Sequence, residues 1–135
     1  MELPKNSLVA SGPVIIENNK VLLNREYDHD GTPNENFMFP GGKVEDFTVS
    51  LEENCKREVK EEMGIDVEII KQLKATMVFL PEKEKVAILV HYLANRIGEI
   101  KPGPQNIEWG WFDIDNLPDN CTPNVYEIIK EYKTL

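Results

Sequence analysis

The sequence has little of what several classes of protein require. Its 135 residues contain only two cysteines, Cys55 and Cys121, which lack metal-ligand spacing and which we expect to be reduced. No apolar run approaches the roughly 18–20 residues that span a bilayer, and the N-terminal residues lack the basic and then apolar pattern of a signal peptide. These absences exclude a disulfide scaffold and a transmembrane protein, and they predict a cytoplasmic protein with no membrane partner.

Positive charge is scarce as well. The chain has 15 Lys and Arg residues against 24 Asp and Glu residues, which gives a formal net charge of −9. Such an acidic balance argues against a nucleic-acid polymer as the partner. If the ligand is a small anion, some other group must offset this charge.

No repeat, low-complexity tract or flexible linker divides the chain. The length and the composition, 41% hydrophobic and 29% charged, are those of one ordinary globular domain. We therefore predict a single domain over residues 1–135. The sequence leaves open whether the protein is a monomer or a homodimer.

Apolar segments between turn-forming residues predict the strands of the fold. They are a hairpin formed by residues 7–17 and 21–23, and strands at 67–80, 85–96 and 107–114. The segment 85–96 is almost continuously apolar, which indicates a central strand, and we expect His91 within it to be hydrogen-bonded in the core. Residues 26–36 are polar and lack periodicity, which is typical of a functional or mobile loop.

Two helices are predicted between and after these strands. The first covers residues 50–63, where Ser50 and Glu53 fit a capping box and Gly64 occupies the position of a left-handed C-cap. The second covers residues 124–133 and has one apolar side. Helices interspersed with strands in this way predict an α/β fold with a mixed sheet and a helix on each side.

The first predicted helix carries three carboxylates on one narrow arc. At about 100° per residue, Glu61 and Glu62 lie on either side of Glu58. Like charges at these spacings repel one another by a few tenths of a kcal/mol per pair, so something should compensate them. A solvated helix face, with Arg57 paired to Glu61, is one interpretation; a site for Mg²⁺ or Mn²⁺, which prefer carboxylate oxygens, is the other.

The segment Pro40-Gly41-Gly42-Lys43 precedes this helix and favours the second interpretation. Its two glycines allow the backbone to approach a ligand or a metal closely, and a lysine stands beside them. It does not match the Walker A pattern, because Phe37 and Val44 occupy positions that the pattern gives to Gly and to Ser or Thr.

Residues 42–65 resemble the Nudix box. Arg57-Glu58-Val59-Lys60-Glu61-Glu62-Met63-Gly64-Ile65 matches the second half of the box at every specified position. The flanks are also similar to the family over nearly the whole chain, in Leu22-Leu23-x-Arg25, Phe39 to Glu45, Trp111-Phe112 and Leu117-Pro118. The resemblance implies a Nudix-type α/β/α sandwich, with the box helix on one side of a mixed sheet and the C-terminal helix on the other.

The chain departs from the box at one place. Thr48 stands where the family has its first glutamate, and the segment from Gly42 to Arg57 is one residue longer than the pattern, which indicates an insertion within residues 46–49. Because that glutamate mainly pairs with the box arginine in the family, Arg57 should find another partner. The candidates are Asp46, Glu53 and Glu61.

The resemblance implies an enzyme, a pyrophosphohydrolase that requires a divalent metal, Mg²⁺ or Mn²⁺. Its substrate would be a nucleoside diphosphate linked to another moiety. Pro81, sixteen residues after Ile65, resembles a marker of ADP-ribose-cleaving members and favours ADP-ribose or a nucleotide sugar, although it also fits a simple turn. The alternatives are a (d)NTP pyrophosphohydrolase for nucleotide pool clean-up and a non-catalytic nucleotide-binding module.

The resemblance also implies roles for individual residues. Glu58 and Glu62 would be metal ligands, Glu61 a further ligand or a water-orienting carboxylate, and the Gly41 carbonyl a backbone ligand. Arg25 and Lys43 would be the cations that face the phosphates. Phe37, Tyr27, Trp109 and Trp111 are candidates for stacking on a base, with packing in the core as the alternative.

The catalytic base outside the box is less clear from the sequence. Many family members have a glutamate about six residues before the tryptophan matched by Trp111, but Gln105 occupies that place here. Glu108 is our first candidate, although it also fits a solvent-facing strand position. Further candidates are Glu99, Glu82 and Glu84.

Overall fold

The structure is a computed structural model that describes residues 1–135. Its elements, in chain order, are β1 (Leu8–Val14), β2 (Ile16–Glu17), β3 (Lys20–Glu26), β4 (Gly42–Lys43), α1 (Leu51–Met63), β5 (Asp66–Leu80), a 3₁₀ turn (Pro81–Lys83), β6 (Lys85–Ile97), β7 (Asn106–Asp113) and α2 (Pro123–Tyr132). Both predicted helices and the strands at 67–80, 85–96 and 107–114 are present, with ends that differ by at most one residue. Neither helix has the length and apolar content needed to cross a bilayer.

The strands form two sheets. The first has the order β4-β1-β6-β5, in which β1 and β6 are parallel and the other neighbours are antiparallel. The predicted mixed sheet is therefore confirmed, and β6 lies in its interior. The second sheet, β2-β3-β7, is antiparallel.

The predicted N-terminal hairpin is shorter than expected. Only Ile16 and Glu17 pair with β3, through a turn in which Asn18 and Asn19 both have positive φ, as a tight hairpin of this kind requires. The preceding strand β1 instead pairs with β6 over seven residues. The long-range partner of β1 lies about 80 positions away, so local turn residues carried no information about it.

The two helices pack against opposite sides of the strands. In β3, Val21 and Leu23 join the core cluster that contains Val125 and Ile128 of α2. The residue between them, Leu22, joins the cluster that contains Val59 and Met63 of α1. Successive side chains of a strand point to opposite faces, so β3 separates the two helices, and the predicted helix on each side is confirmed.

Helix α1 is bounded by the residues that the sequence indicated. The Ser50 side chain accepts a hydrogen bond of 3.1 Å from the backbone N–H of Glu53, and Gly64 ends the helix with φ of 70°. The side of α1 that includes Cys55, Val59 and Met63 is fully buried. This orientation leaves the arc of Glu58, Glu61 and Glu62 at the edge of the buried side.

His91 lies in the core on β6, where it joins a chain of hydrogen bonds. Its Nδ1 is 2.9 Å from the Lys74 carbonyl oxygen, and its Nε2 is 3.0 Å from Nδ2 of Asn124 at the start of α2. The Thr122 hydroxyl donates to Oδ1 of Asn124 at 2.7 Å. Donation from the Asn124 amide to Nε2 and from Nδ1 to the carbonyl requires neutral His91, as expected for a core histidine.

We expect a part of the folding stability to be lost below pH 6.5 because of His91. Burial lowers the pKa of His91 below its ordinary value of 6.5, and the Lys74 carbonyl, Glu131 and Glu127 offset only part of this effect. The unfolded chain therefore takes up a proton at a higher pH than the folded chain does. Neutral His91 contributes this part of the folding free energy in full above pH 6.5, and the contribution declines as the pH falls toward the pKa of the folded state. The total loss is about 1.4 kcal/mol for each unit by which folding lowers the pKa of His91.

Denaturant unfolding of the wild type and of His91→Gln, compared between about pH 8 and about pH 5, measures this contribution. The difference between the two free energies of unfolding should shrink as the pH falls. The other titrating groups are the same in both proteins and cancel in the comparison. A difference that stays constant over this range would mean that His91 titrates alike in the folded and unfolded states.

Candidate active site

The acidic arc of α1 faces a cleft with a volume of about 460 Å³. Four segments form its walls: the end of β3 with the loop after it, residues 41–45, α1, and residues 103–105. Six carboxylates and one lysine line the cleft: Glu26, Asp28, Glu45, Glu58, Glu61, Glu62 and Lys43. The structure thus brings together Gly41, Lys43 and the three glutamates of the helix.

Two glycines allow the 41–45 segment to lie against its neighbours. Gly41 has φ of 143°, and a Cβ at this position would clash with the backbone of Ser11 and Gly12. A Cβ on Gly42 would clash with the carboxylate of Glu58. The absence of a side chain at Gly42 is therefore what lets Glu58 reach the loop.

Arg57 holds two of the glutamates. Its guanidinium is 3.0 Å from Glu58 and 3.2 Å from Glu61. The predicted partner Glu61 is confirmed, whereas the pair with Glu58 was not predicted. Burial raises the pKa of Glu58, and the charge of Arg57 offsets part of this effect.

The other two candidate partners of Arg57 are engaged elsewhere. The Asp46 side chain accepts hydrogen bonds from the backbone N–H of Thr48 at 2.9 Å and from its hydroxyl. The Glu53 side chain is 3.6 Å from Lys56. Asp46 and Glu53 were therefore wrong as candidates, because Asp46 closes the turn that contains Thr48.

Glu62 has a neighbour at the cleft that sequence reasoning missed. One of its oxygens accepts a hydrogen bond of 3.2 Å from the backbone N–H of Gly41, and it shares the cleft with Glu26, the last residue of β3. Burial, followed by the charge of Glu26, raises the pKa of Glu62, and burial also raises the pKa of Glu26. Alternation along β3 was a usable signal, since Glu26 stands four residues after Leu22, which faces α1.

Three predicted site residues do not line the cleft. Arg25 is adjacent to Glu26 in the strand and lies on the opposite face, where it forms an ion pair of 3.0 Å with its register partner Glu108. Its guanidinium also lies 5.7 Å from the centre of the Phe37 ring. Phe37 is buried in the core on the α2 side and packs against Phe112. The structure therefore separates Arg25, Phe37 and Glu108 from the acidic cleft.

The segment that carries Gln105 is fixed to two walls of the cleft. Gly103 donates its backbone N–H to the Glu62 carbonyl at 2.8 Å, and the N–H of Tyr27 donates to the Gln105 carbonyl at 2.9 Å. Gln105 and Tyr27 both line the cleft. The further base candidates Glu82, Glu84 and Glu99 do not.

The donor chemistry of the cleft fits a divalent cation. Carboxylates and a backbone carbonyl are hard oxygen ligands of the kind that Mg²⁺ and Mn²⁺ prefer, and six carboxylates against one lysine leave a local excess of negative charge. No three of these side chains are arranged to hold a metal ion. Their carboxylates are instead held by Arg57 and by the Gly41 amide.

A second, apolar cavity of about 190 Å³ adjoins the cleft. Six hydrophobic side chains line it: Leu3, Leu8, Val9, Val44, Phe47 and Ile88. Lys43 belongs to the walls of both cavities. Phe47 comes from the segment with the extra residue, and it is 88% exposed.

Pro81, the residue that favoured ADP-ribose in the sequence, begins the 3₁₀ turn between β5 and β6. It does not line the acidic cleft. Its position agrees with the simpler interpretation as a turn residue.

Comparison with known proteins gives a consistent result. A family profile described as NUDIX domain matches residues 7–132. The chain is similar to a MutT NUDIX hydrolase from Burkholderia pseudomallei, with 25% identity, a TM-score of 0.82 and coverage of 93% of this chain and 98% of that one. It is similar to a MutT protein from Methanosarcina mazei Go1 at 22% identity, with a TM-score of 0.83 and coverage of 99% and 96%. An ADP-ribose pyrophosphatase from Streptococcus suis 89-1591 is 25% identical, with a TM-score of 0.64 and coverage of 96% and 94%.

Proposed function

Because the chain belongs to the Nudix hydrolase family, we propose that it hydrolyses a pyrophosphate bond in a nucleoside diphosphate linked to another moiety, with Mg²⁺ or Mn²⁺ as the cofactor. The observation that carries this proposal is the convergence of Glu58, Glu61 and Glu62 with the Gly41-Gly42 loop on one acidic cleft. Residues 1–135 would act as one catalytic domain.

In this proposal some side chains bind the cation and another keeps those ligands in position. Glu58, Glu61, Glu62 and the Gly41 carbonyl would hold the cation. A divalent cation supplies neutralisation of phosphate charge and a lower pKa for the attacking water. Arg57, through its pairs with Glu58 and Glu61, keeps the two carboxylates on the cleft side of α1.

Lys43 is the cation of the cleft that faces the phosphates in this proposal. It is exposed, it forms none of the protein's ion pairs, and it lies between the acidic cleft and the apolar cavity. A diphosphate bound along Lys43 would place one of its two substituents near the apolar side chains. This geometry favours a substrate that has an apolar ring on one side of the diphosphate.

ADP-ribose or a nucleotide sugar is the first candidate, supported by the 25% identity to an ADP-ribose pyrophosphatase and by the cavity beside Lys43. A (d)NTP is the second candidate. It is favoured by the likeness to a MutT NUDIX hydrolase, which has the same identity and the higher TM-score of 0.82.

A substrate panel tests the proposal. The purified protein is incubated with ADP-ribose, other nucleotide sugars, dinucleotides and (d)NTPs at saturating Mg²⁺ or Mn²⁺, and the released products are identified. Release of a nucleoside monophosphate from ADP-ribose or a nucleotide sugar supports the first candidate, and release of pyrophosphate from a (d)NTP supports the second. Binding of a nucleotide without any product would favour the non-catalytic alternative.

Replacing Gly42 by alanine is expected to lower kcat/KM for the best panel substrate by about tenfold or more, because a Cβ at this position displaces the Glu58 carboxylate. Glu58 is 7% exposed and held by the half-buried Arg57, so the displacement disturbs a partly buried ion pair. Overpacking of this kind destabilises a protein by about 1–3 kcal/mol. The measurement is kcat/KM together with thermal unfolding.

Gly110→Ala is the matched control for this substitution. Gly110 lies on β7, away from the cleft, and a Cβ there would make only ordinary contacts with the Phe112 ring at 3.4 Å. It should retain the activity of the wild type. If Gly42→Ala is as active as Gly110→Ala, the position of Glu58 against the loop does not matter for catalysis.

A further inference from the structure

Strand β5 is an end strand of the first sheet, and its last six residues leave that edge unprotected. Up to Lys74 the edge carries charged residues, and the backbone N–H of Lys74 donates to the Glu131 side chain of α2 at 3.0 Å. Residues 75–80 contain neither a charge nor a proline, and they pair with β6 on one side only. Their free N–H and C=O groups can therefore pair with another chain.

Two large apolar side chains stand beside this open backbone. Met77 is 71% exposed and Phe79 is 63% exposed. Their register partners on β6 are Ile88 and Val86, and Ile88 packs against the core cluster that contains Cys55 of α1. Residues opposite each other in a sheet share a face, so Met77 and Phe79 lie together on the α1 side, at the edge and in contact with water.

We propose that residues 75–80 are a homodimer interface, in which β5 of one copy pairs antiparallel with β5 of a second copy about a two-fold axis at Val78. Met77 of each copy then lies opposite Phe79 of the other, which buries all four side chains against one another. The first sheets of the two copies become one continuous sheet. A two-fold contact of this kind closes on itself and stops at two copies.

The charges beside the segment favour a second copy in this register. Counting outward from Val78, the first charged residues are Lys74 and Glu82, each four positions away. Antiparallel pairing about Val78 therefore brings Lys74 of one copy opposite Glu82 of the other at both ends. Both residues are exposed, and Lys74 keeps half of its side chain exposed beside Glu127 of its own copy. If the axis moved by one residue in either direction, Glu82 would face an uncharged residue.

The dimer should be weak, and salt should strengthen it. Six paired residues with two large apolar side chains form a smaller contact than the roughly 800 Å² per partner of a standard interface. Each copy carries a net charge of −9, so the copies repel one another over distances that salt screens. Higher potassium chloride should therefore lower the dissociation constant of the dimer.

The interface leaves the acidic cleft open. No residue of β5 lines that cleft. The dimer is thus independent of the proposed hydrolysis, and neither a monomeric enzyme nor a dimer without turnover would be contradictory. Its test uses the oligomeric state of the purified chain and no activity.

Sedimentation velocity of the wild type and of Phe79→Lys, from about 5 to about 500 µM, measures the dissociation constant. The wild type should change from monomer to dimer within this range. Phe79→Lys should weaken the dimer by at least about 100-fold, because each interface would then bury two lysines without partners. Ile97→Lys is the matched control, since Ile97 is 53% exposed at the far end of the interior strand β6. It should dimerise as the wild type does, and thermal unfolding checks that both variants are folded.

Oxidative cross-linking tests the register separately. Residues opposite each other in an antiparallel pair have Cα atoms about 4.5–5.5 Å apart, which a disulfide can bridge. Val78→Cys should therefore form a covalent dimer under mild oxidation. Met77→Cys is the control: it is the more exposed position, but its equivalent in the second copy lies diagonally, about 7–8 Å away. The native cysteines are both buried.

Three results would overturn the proposal. A wild type that stays monomeric at the highest protein and salt concentrations leaves the edge to another protein or to none. A dimer that persists in Phe79→Lys, or that cross-links equally through Met77→Cys, uses a different face or register. Oligomers that keep growing with concentration indicate open-ended association in place of a closed two-fold pair.

Discussion

Replacing Glu62 by glutamine is expected to lower kcat of the metal-dependent reaction by about 10³-fold or more. Glu62 connects α1 to the glycine loop, since its side chain accepts a hydrogen bond from the Gly41 amide, and it shares the cleft with Glu26. Loss of its negative charge weakens cation binding where phosphate charge must be neutralised. That stabilisation amounts to several kcal/mol, and about 4 kcal/mol corresponds to ~10³ in rate.

The fold should survive this substitution. The amide oxygen of glutamine can still accept the hydrogen bond from Gly41, and the removal of one carboxylate relieves the repulsion between Glu62 and Glu26. We expect the unfolding temperature in excess chelator to be unchanged or raised. The increase that Mg²⁺ produces in the wild type should be much smaller in the variant.

Glu68→Gln is the control, because it removes the same charge from an exposed position on β5. It should keep full activity and the full response to Mg²⁺. If Glu62→Gln is folded and turns over substrate at the rate of this control, Glu62 is not a metal ligand.

The helix and its acidic arc could be predicted because their determinants are local. Ser50 and Gly64 bound α1 through contacts within a few residues of each helix end, and the 3.6-residue period puts Glu58, Glu61 and Glu62 on one arc. The same reasoning yields the buried side of α1. None of these inferences requires knowledge of which strands pair.

The rest of the site depends on pairings that are distant in sequence. Glu26 was assigned to a loop, whereas it is the final residue of a strand that ends beside α1. Arg25 was assigned to the phosphates, but a strand directs neighbouring side chains to opposite faces, and Glu26 occupies the face toward α1. Glu108 lies on the same face of the sheet as Arg25, because the two are register partners.

The division of the strands into two sheets was beyond local reasoning for the same reason. β1 and β2 are separated by the single residue Ile15, yet β1 pairs with β6 and β2 pairs with β3. The apolar pattern of residues 7–23 is compatible with one long hairpin. The parallel partner of β1, far along the chain, decides between these arrangements.

The net charge of −9 acquires a specific meaning from the position of the cleft. Six of the 24 Asp and Glu residues line it, with one lysine. Without a cation this cleft should repel a diphosphate, because two unit charges 4 Å apart interact by about 4 kcal/mol even at an effective dielectric constant of about 20. A bound divalent cation would reverse the sign of the interaction.

We therefore expect nucleotide affinity to fall by at least ~100-fold when divalent cations are removed, which corresponds to about 2.7 kcal/mol. The measurement is the dissociation constant of a non-hydrolysable, methylene-bridged analogue of the best panel substrate, with Mg²⁺ and with excess chelator. Potassium chloride at equal ionic strength is the control, since it screens charge without occupying the site. Potassium should restore little of the affinity, because Lys43 is the only lysine or arginine among the residues that line the cleft and Arg57 is already paired with Glu58 and Glu61. Tight binding of the analogue in excess chelator would mean that the phosphates are held by groups other than a cation in this cleft.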